Sequence, residues 1–257
     1  MKRIILANSL FLSLVISCGI IFGVLVLLDS LFDKRETKTN LFFHYYTIEP
    51  ETMLEALDAG KVDVFSPVED EPPFIPLEQQ SSVFWTQDNY VRIANALFQF
   101  ARDDTLSNGW EIENMDFSSD CENFNSGFYN GNFHFFKVVK AHERESRIER
   151  IVNIDPLNKV ILITENEYYP ILVDWTGIKL DNNLIPASDA LQIAENNGGE
   201  KERLSVNNAC YVDLIFKYGV GWWEQDWWWN VWYRRNDRNL TMLLSVDINQ
   251  RTGKVRP

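Results

Sequence analysis

The sequence has few of the residues that carry most metal and redox chemistry. Its 257 residues include only three cysteines and three histidines. The histidines are scattered at His44, His134 and His142. These numbers are too small for a disulfide-rich scaffold or for a cysteine-based zinc site. We therefore predict no metal site and no cofactor.

The sequence also lacks the short motifs that mark common catalytic sites. It contains no Gly-x-Ser-x-Gly turn, no phosphate-binding glycine loop and no paired-histidine metal motif. Asp155 and Asp247 stand at the ends of predicted strands, where an aspartate more often accepts backbone hydrogen bonds in a turn. We predict no catalytic residue, and a binding protein is favoured over an enzyme.

Basic residues are fewer than acidic ones. The chain has 24 Lys and Arg against 37 Asp and Glu, which gives a formal net charge of −13. A surface of this sign repels the phosphate backbone of nucleic acids. The composition therefore excludes nucleic acid as the expected partner.

Charge is absent from one long segment, Ile4–Leu28. A helix rises about 1.5 Å per residue, so this segment is long enough to cross a hydrocarbon core of about 30 Å. We predict a transmembrane signal-anchor over residues 1–33, with the lipid bilayer contacted through residues 4–28. The alternatives are a cleaved secretion signal and a lipoprotein modified at Cys18, because Val15–Cys18 is similar to a bacterial lipobox.

The predicted location is a single-pass membrane protein with its C-terminal domain outside the cytoplasm. The tail before the anchor is very short, which favours leaving it in the cytoplasm and exporting the rest. Lys and Arg flank both ends of the segment, so the charge count alone does not set the orientation.

Residues 34–257 divide into one segment without hydrophobic periodicity and two segments with it. Residues 34–85 are predicted to be a charged stalk and a Pro- and acid-rich linker with one short helix at Pro50–Ala59. Residues 86–165 and 166–257 each contain an amphipathic helix, which opens near Asp88 in the first and near Ser188 in the second, followed by alternating, strand-like segments. The predicted fold class is therefore α+β: an N-terminal transmembrane helix followed by two helix-on-antiparallel-sheet repeats.

The second of these parts resembles a known family. Ala190–Gly199, Trp229–Tyr233 and Val246–Asn249, followed by Thr252–Val255, are similar to the PepSY-type α+β repeat of bacterial exported proteins. Residues 86–165 are similar to the same repeat more weakly. The whole chain is similar to bacterial membrane-anchored proteins of unassigned activity. The resemblance implies a binding or inhibitory module without catalytic residues.

Two cysteines occupy equivalent positions in the two predicted repeats. Cys121 and Cys210 would meet oxidising conditions if the domain is exported. If the repeats pack around a pseudo-twofold axis, these positions approach each other. We predict a disulfide between them; the alternative is two buried free thiols.

A dense run of tryptophans is the most unusual feature of the sequence. It comprises Trp222, Trp223, Trp227, Trp228, Trp229 and Trp232. Successive residues of a strand point to opposite faces, so one set can fill the core and the other needs a cover. Three alternatives can cover the second set of tryptophans: other parts of the chain, a ligand, or the membrane interface. The predicted ligand contacts are Trp222, Trp223, Trp227, Trp228 and Trp232.

Together these features predict a membrane-tethered extracytoplasmic binding or regulatory module whose ligand is a protein or peptide. Two alternatives remain. One is a cell-envelope hydrolase with an unrecognised acid-based site, and the other is a structural subunit of a membrane complex.

Overall fold

The computed structural model describes residues 37–256, with gaps at 62, 74, 142–143, 170–175, 181–182 and 221–224. Nine strands in these residues form one antiparallel sheet, in the order β2-β1-β6-β5-β4-β3-β7-β8-β9. The strands are β1 (Thr37–Thr47), β2 (Ser66–Val68), β3 (Glu111–Asp120), β4 (Asn130–Ala141), β5 (Arg144–Asp155), β6 (Val160–Tyr169), β7 (Cys210–Val220), β8 (Gln225–Arg235) and β9 (Met242–Asn249). Two meanders, β3–β6 and β7–β9, share the sheet because β3 and β7 pair side by side.

The α-helices of the described residues precede or interrupt the strands. They are α1 (Pro50–Asp58), α2 (Gln87–Arg102), α3 (Ala187–Ala194) and α4 (Glu200–Ser205). The Thr86 hydroxyl accepts a hydrogen bond from the backbone N–H of Asn89. This bond caps α2, because it satisfies one of the free donors of the first helical turn.

The helices pack on one face of the sheet, which we call the covered face. Phe98 of α2 lies against Phe135 of β4, with ring centroids 5.1 Å apart. Near the other end of the sheet, the indole N–H of Trp229 donates a hydrogen bond to the carbonyl of Ile185, just before α3. Because strand residues alternate between faces, the inward positions join into one aromatic-rich core.

The link between α3 and α4 depends on two glycines, Gly198 and Gly199. A π-helical turn at Glu195–Gly199 bends the chain, with φ of 114° at Gly198. A Cβ atom at Gly199 would lie 2.3 Å from the phenol oxygen of Tyr233. The same phenol donates a hydrogen bond to Glu195 at 2.7 Å. The glycines therefore let the helical segment pass close to β8 instead of ending it.

A buried ion pair lies on the covered face, below the end of α2. The Arg150 guanidinium binds Glu165 of the neighbouring strand and contacts Asp104 at 3.1 Å. It also lies 4.3 Å from the ring centre of Trp110. Burial raises the pKa of Glu165, but hydrogen bonds from Arg102 and Arg150 outweigh burial and hold that pKa below its usual value.

The predicted fold class is wrong. The sequence analysis predicts an α+β protein of two helix-on-antiparallel-sheet repeats behind a transmembrane helix, whereas one nine-stranded sheet dominates the described residues. Residues Asn114–Asp120 of β3 pair directly with β7. A free strand edge leaves backbone donors and acceptors unpaired, and this pairing satisfies them. The chain therefore forms a β-rich fold rather than tandem helical repeats.

Part of the predicted stalk and linker belongs to the sheet. Thr37–Thr47 form β1, which pairs with β6 over its length, and Ser66–Val68 form β2 on its outer side. The short helix lies at Pro50–Asp58. The stalk interpretation gave too little weight to the run Leu41–Tyr46, whose aromatic residues favour a strand.

The prediction of a membrane anchor finds no support in the structure. Among the helices of residues 37–256 that the structure describes, none has the length and apolar character needed to cross a membrane. The predicted anchor, residues 4–28, and the rival lipidation site, Cys18, both lie outside the described residues. The single-pass, extracytoplasmic location is therefore not carried further.

Candidate binding face

The tryptophan run divides between the two faces of the sheet. Trp227 and Trp229 point into the core of the covered face and are 4% and 0% exposed. Trp228 and Trp232 belong to the opposite face, which we call the open face; Trp228 is 8% exposed and Trp232 is half-buried. Trp222 and Trp223 lie outside the described residues.

Two of the predicted contact residues are therefore corrected to buried residues. Trp227 stacks on Phe216 with ring centroids 5.0 Å apart. Trp228 is outward-facing but is covered by its own chain: the Arg256 guanidinium lies 4.3 Å from its ring centre, and a Cβ atom at Gly219 would be 2.9 Å from its ring. Outward orientation did not produce exposure here, because neighbouring residues close over the indole.

Trp232 keeps an accessible ring and lies among charges of both signs. Lys217 and Arg234 lie over the ring at 5.9 and 5.0 Å from its centre, a geometry that attracts cations to the face of an indole. Asp213, directly opposite on β7, contacts Arg234 at 3.2 Å and accepts a hydrogen bond from Ser118 at 2.8 Å. The ring is held in place by this network.

A second group of polar side chains lies on the open face, and we call it the acid–histidine cluster. It comprises Glu113 of β3, His134 of β4, and Arg147 and Glu149 of β5. Arg147 is fully buried, binds Glu113 and lies 3.6 Å from Glu149. The His134 Nδ1 atom lies 3.8 Å from the Glu149 carboxylate. Four ionisable groups from three adjacent strands therefore meet at one point.

The environment shifts the pKa values of the two glutamates in opposite directions. Burial raises the pKa of Glu113, and the nearby Arg147 only partly offsets this effect. Burial also acts on Glu149, but hydrogen bonds involving His134 and Tyr168 and the charge of Arg147 lower its pKa to about 2. Glu149 therefore keeps its negative charge to lower pH than Glu113 does.

The same residues offer a donor set for a metal ion. Ligand atoms of Glu113, His134 and Glu149 all lie within 4.8 Å of one another, and these residue types suit zinc and similar cations. The Arg147 guanidinium, however, already contacts both carboxylates. The positive charge that a cation would supply is thus present, and we assign no metal to this cluster.

Asn132 connects the acid–histidine cluster to the centre of the open face. Its side-chain amide donates to Asp116 at 3.0 Å and lies 3.4 Å from the Nε2 atom of His134. Burial raises the pKa of Asp116. Asp116 pairs with the apolar Ile215 of β7, so the polar contacts that begin at the cluster reach β3 through Asn132.

Cys121 and Cys210 lie at the junction of the two meanders, where the structure joins them by a disulfide. Their Cα atoms are 5.3 Å apart, and the backbone N–H of Cys121 donates to the carbonyl of Cys210 at 2.9 Å. Both side chains are buried, at 1% and 3% exposure. The bond ties the end of β3 to the start of β7.

Comparison with known proteins identifies no relative: no family model, no curated protein and no solved structure matches the chain. No relative therefore supports the resemblance to the PepSY-type repeat.

The sequence analysis missed the acid–histidine cluster. Its members are far apart in the chain and meet only when β3, β4 and β5 pair. One signal was available, because Arg147–Arg150 contains three charged residues inside a predicted strand. Charged side chains are rarely buried without a partner, so this density indicated partners on neighbouring strands without naming them.

Proposed function

We propose that this protein is a binding module, that its contact surface is the open face around Trp232, and that its ligand is a protein or peptide. The observation that supports this most is the half-buried ring of Trp232, held between Lys217 and Arg234 on the sheet face opposite the helices. Tryptophan and arginine are enriched among residues that dominate protein interfaces.

The surroundings of Trp232 favour a polypeptide over a uniformly charged ligand. Lys217 and Arg234 offer positive charge, while Asp213 and Asp247 offer negative charge on neighbouring strands. A protein surface presents apolar, acidic and basic groups within a short distance, so it can match all three. Trp232 supplies the apolar contact area, and the flanking charges supply orientation.

Site-specific photo-crosslinking tests this proposal. A photoreactive residue is placed at Ser245, which is exposed and opposite Trp232 on β9. The matched control is Lys201, exposed on α4. We expect position 245, but not position 201, to give a single crosslinked product with the bound protein or peptide. Excess wild-type protein without the photoreactive residue should abolish that product.

Competition with variants assigns the crosslink to Trp232. Unlabelled Trp232→Ala should fail to compete, whereas Leu204→Ala, a comparable loss of exposed apolar area on α4, should compete as well as wild type. Both variants must show the wild-type circular dichroism spectrum. Equal crosslinking from positions 245 and 201, or full competition by Trp232→Ala, would exclude the open face as the contact surface.

A second candidate function is acid-based hydrolysis at the acid–histidine cluster. The opposite pKa shifts of Glu113 and Glu149 favour it, because such pairs provide one acid and one base. The salt bridges of Arg147 to both carboxylates oppose it. Turnover of a fluorogenic ester or glycoside that disappears in Glu113→Gln would favour hydrolysis over binding.

A further inference from the structure

A cleft of about 560 Å³ lies between α2 and residues 176–180. Its apolar lining comprises a buried floor of Trp110, Ile112 and Phe135 and half-buried walls of Val91, Leu106 and Leu180. The other lining residues are Asp88, Arg92, Asn95, Ser107, Gly109 and Lys179. Apolar side chains from separate parts of the chain therefore converge on one space.

Backbone contacts fix the wall of the cleft that is opposite α2. Ile178 exchanges two hydrogen bonds with Ile112, at 2.8 and 2.9 Å, so residues 176–180 run beside the start of β3. The same segment packs closely on the sheet, because a Cβ atom at Gly177 would lie 2.5 Å from the ring of Phe136. A site that is already formed saves a ligand part of the cost of ordering it.

The charged groups of the cleft carry no net charge. Arg92 forms an ion pair with Asp58 of α1. The other two charged lining residues are one anion, Asp88, and one cation, Lys179. A charged ligand group would lose hydration on entering the cleft, and it would meet no excess of opposite charge to offset that loss. The balance therefore favours an uncharged ligand.

The Asn95 side chain adds a preference for the polar group of the ligand. Its Oδ1 atom accepts a hydrogen bond from the backbone N–H of Leu106 at 2.9 Å. This bond sets the orientation of the amide, because only its oxygen can accept. The Nδ2 group can only donate, so it suits a ligand with an acceptor oxygen.

We propose that this cleft binds a small uncharged molecule with an apolar body and an acceptor oxygen, such as a ketone or an ester of medium chain length. The apolar body lies between Val91 and Leu180 above the floor, and the oxygen faces Asn95. The volume is within the range of about 300–1,000 Å³ that is typical of ligand sites. The apolar lining supplies affinity in proportion to the area removed from water. The site is separate from the open face and does not depend on the ligand proposed there.

An NMR titration with three probes tests the proposal. Hexyl methyl ketone, octanoate and octylammonium have the same number of carbon atoms and differ in charge, and each is used below its solubility limit and micelle concentration. We expect the ketone to saturate one site and to shift the backbone amide signals of residues 91, 95 and 106. Both ions should bind about tenfold more weakly or worse, because each loses hydration without gaining a counter-charge. An ion that binds as tightly as the ketone would overturn the proposal.

The variant Asn95→Asp tests the role of the amide. The carboxylate can still accept from Leu106, but it replaces the donating nitrogen with an oxygen that repels the ketone oxygen. We expect the affinity for the ketone to fall about tenfold and the affinity for octylammonium to rise. The matched control is Asn196→Asp, at an exposed position between α3 and α4, which should change neither affinity. Unchanged ketone affinity in Asn95→Asp would overturn the assignment of the acceptor.

The variant Val91→Trp locates the bound probe by filling the cleft. It should abolish ketone binding, whereas Leu204→Trp, at an exposed position on α4, should leave it intact. Circular dichroism shows whether Val91→Trp folds; if it does not, Asn95→Asp and the probe comparison decide. Wild-type ketone affinity in a folded Val91→Trp would place the ligand elsewhere and overturn the proposal.

Discussion

Removing the Cys121–Cys210 disulfide should destabilise the protein strongly. The two cysteines are 89 positions apart, and the chain-entropy relation for a loop of that size gives a contribution of about 4–5 kcal/mol to the free energy of unfolding. Whole domains are stable by only about 5–15 kcal/mol. The double variant Cys121→Ala/Cys210→Ala should therefore lose a large fraction of the stability of the wild type.

Urea unfolding followed by tryptophan fluorescence measures this loss. The wild type should unfold at lower urea in the presence of dithiothreitol, and the double variant should not respond to the reductant. The matched control is Cys18→Ala. Its urea midpoint should equal that of the wild type without dithiothreitol, and it should fall by the same amount as that of the wild type when dithiothreitol is added.

Two results would refute the reasoning about the disulfide. One is a double variant within about 1 kcal/mol of the wild type, because engineered and native disulfides typically contribute about 2–4 kcal/mol. The other is a wild-type protein whose two thiols both react in denaturant without reductant. Either result would mean that β3 and β7 are held by strand pairing alone.

Two further predictions concern buried charge. Arg150→Met should cost about 1.5–3 kcal/mol, because Glu165 loses one of its two guanidinium partners and keeps Arg102, whereas Arg150→Met/Glu165→Leu should cost less; equal losses would contradict this. The pKa of Glu149 is lowered from 4.5 to about 2, so its stabilising effect is complete above about pH 4.5 and is lost as the pH falls towards 2. Urea unfolding at a series of pH values should show this decline, and Glu149→Gln should flatten it.

Local pattern in the sequence was enough to locate several elements. Pro50 suits the first turn of a helix, and apolar residues from Tyr90 to Ala101 recur at helical spacing; the structure has α1 at Pro50–Asp58 and α2 at Gln87–Arg102. Apolar residues alternate with mostly polar ones from Leu240 to Ile248, as in a half-buried strand, and the structure has β9 at Met242–Asn249. These elements are predictable because propensity, capping and periodicity involve residues within a few positions of each other.

The faces of β8 illustrate where local pattern stops being sufficient. Alternation separates Trp227 and Trp229 from Trp228 and Trp232, which is a property of any strand. Whether an outward ring is exposed depends on residues far away in the chain. Trp228 is closed in by Gly219 and Arg256, whereas Trp232 stays half-buried.

The sequence by itself determined which residues can be helix, strand and core, because those properties depend on near neighbours and on the apolar character of each side chain. Only the tertiary structure decided that β3 pairs with β7, that the nine strands of the described residues form one sheet, and that Glu113, His134 and Glu149 meet. Strand pairing joins residues of high sequence separation through backbone groups that every residue carries. For this reason neither the order of the strands nor the cluster built on them could be obtained from local pattern.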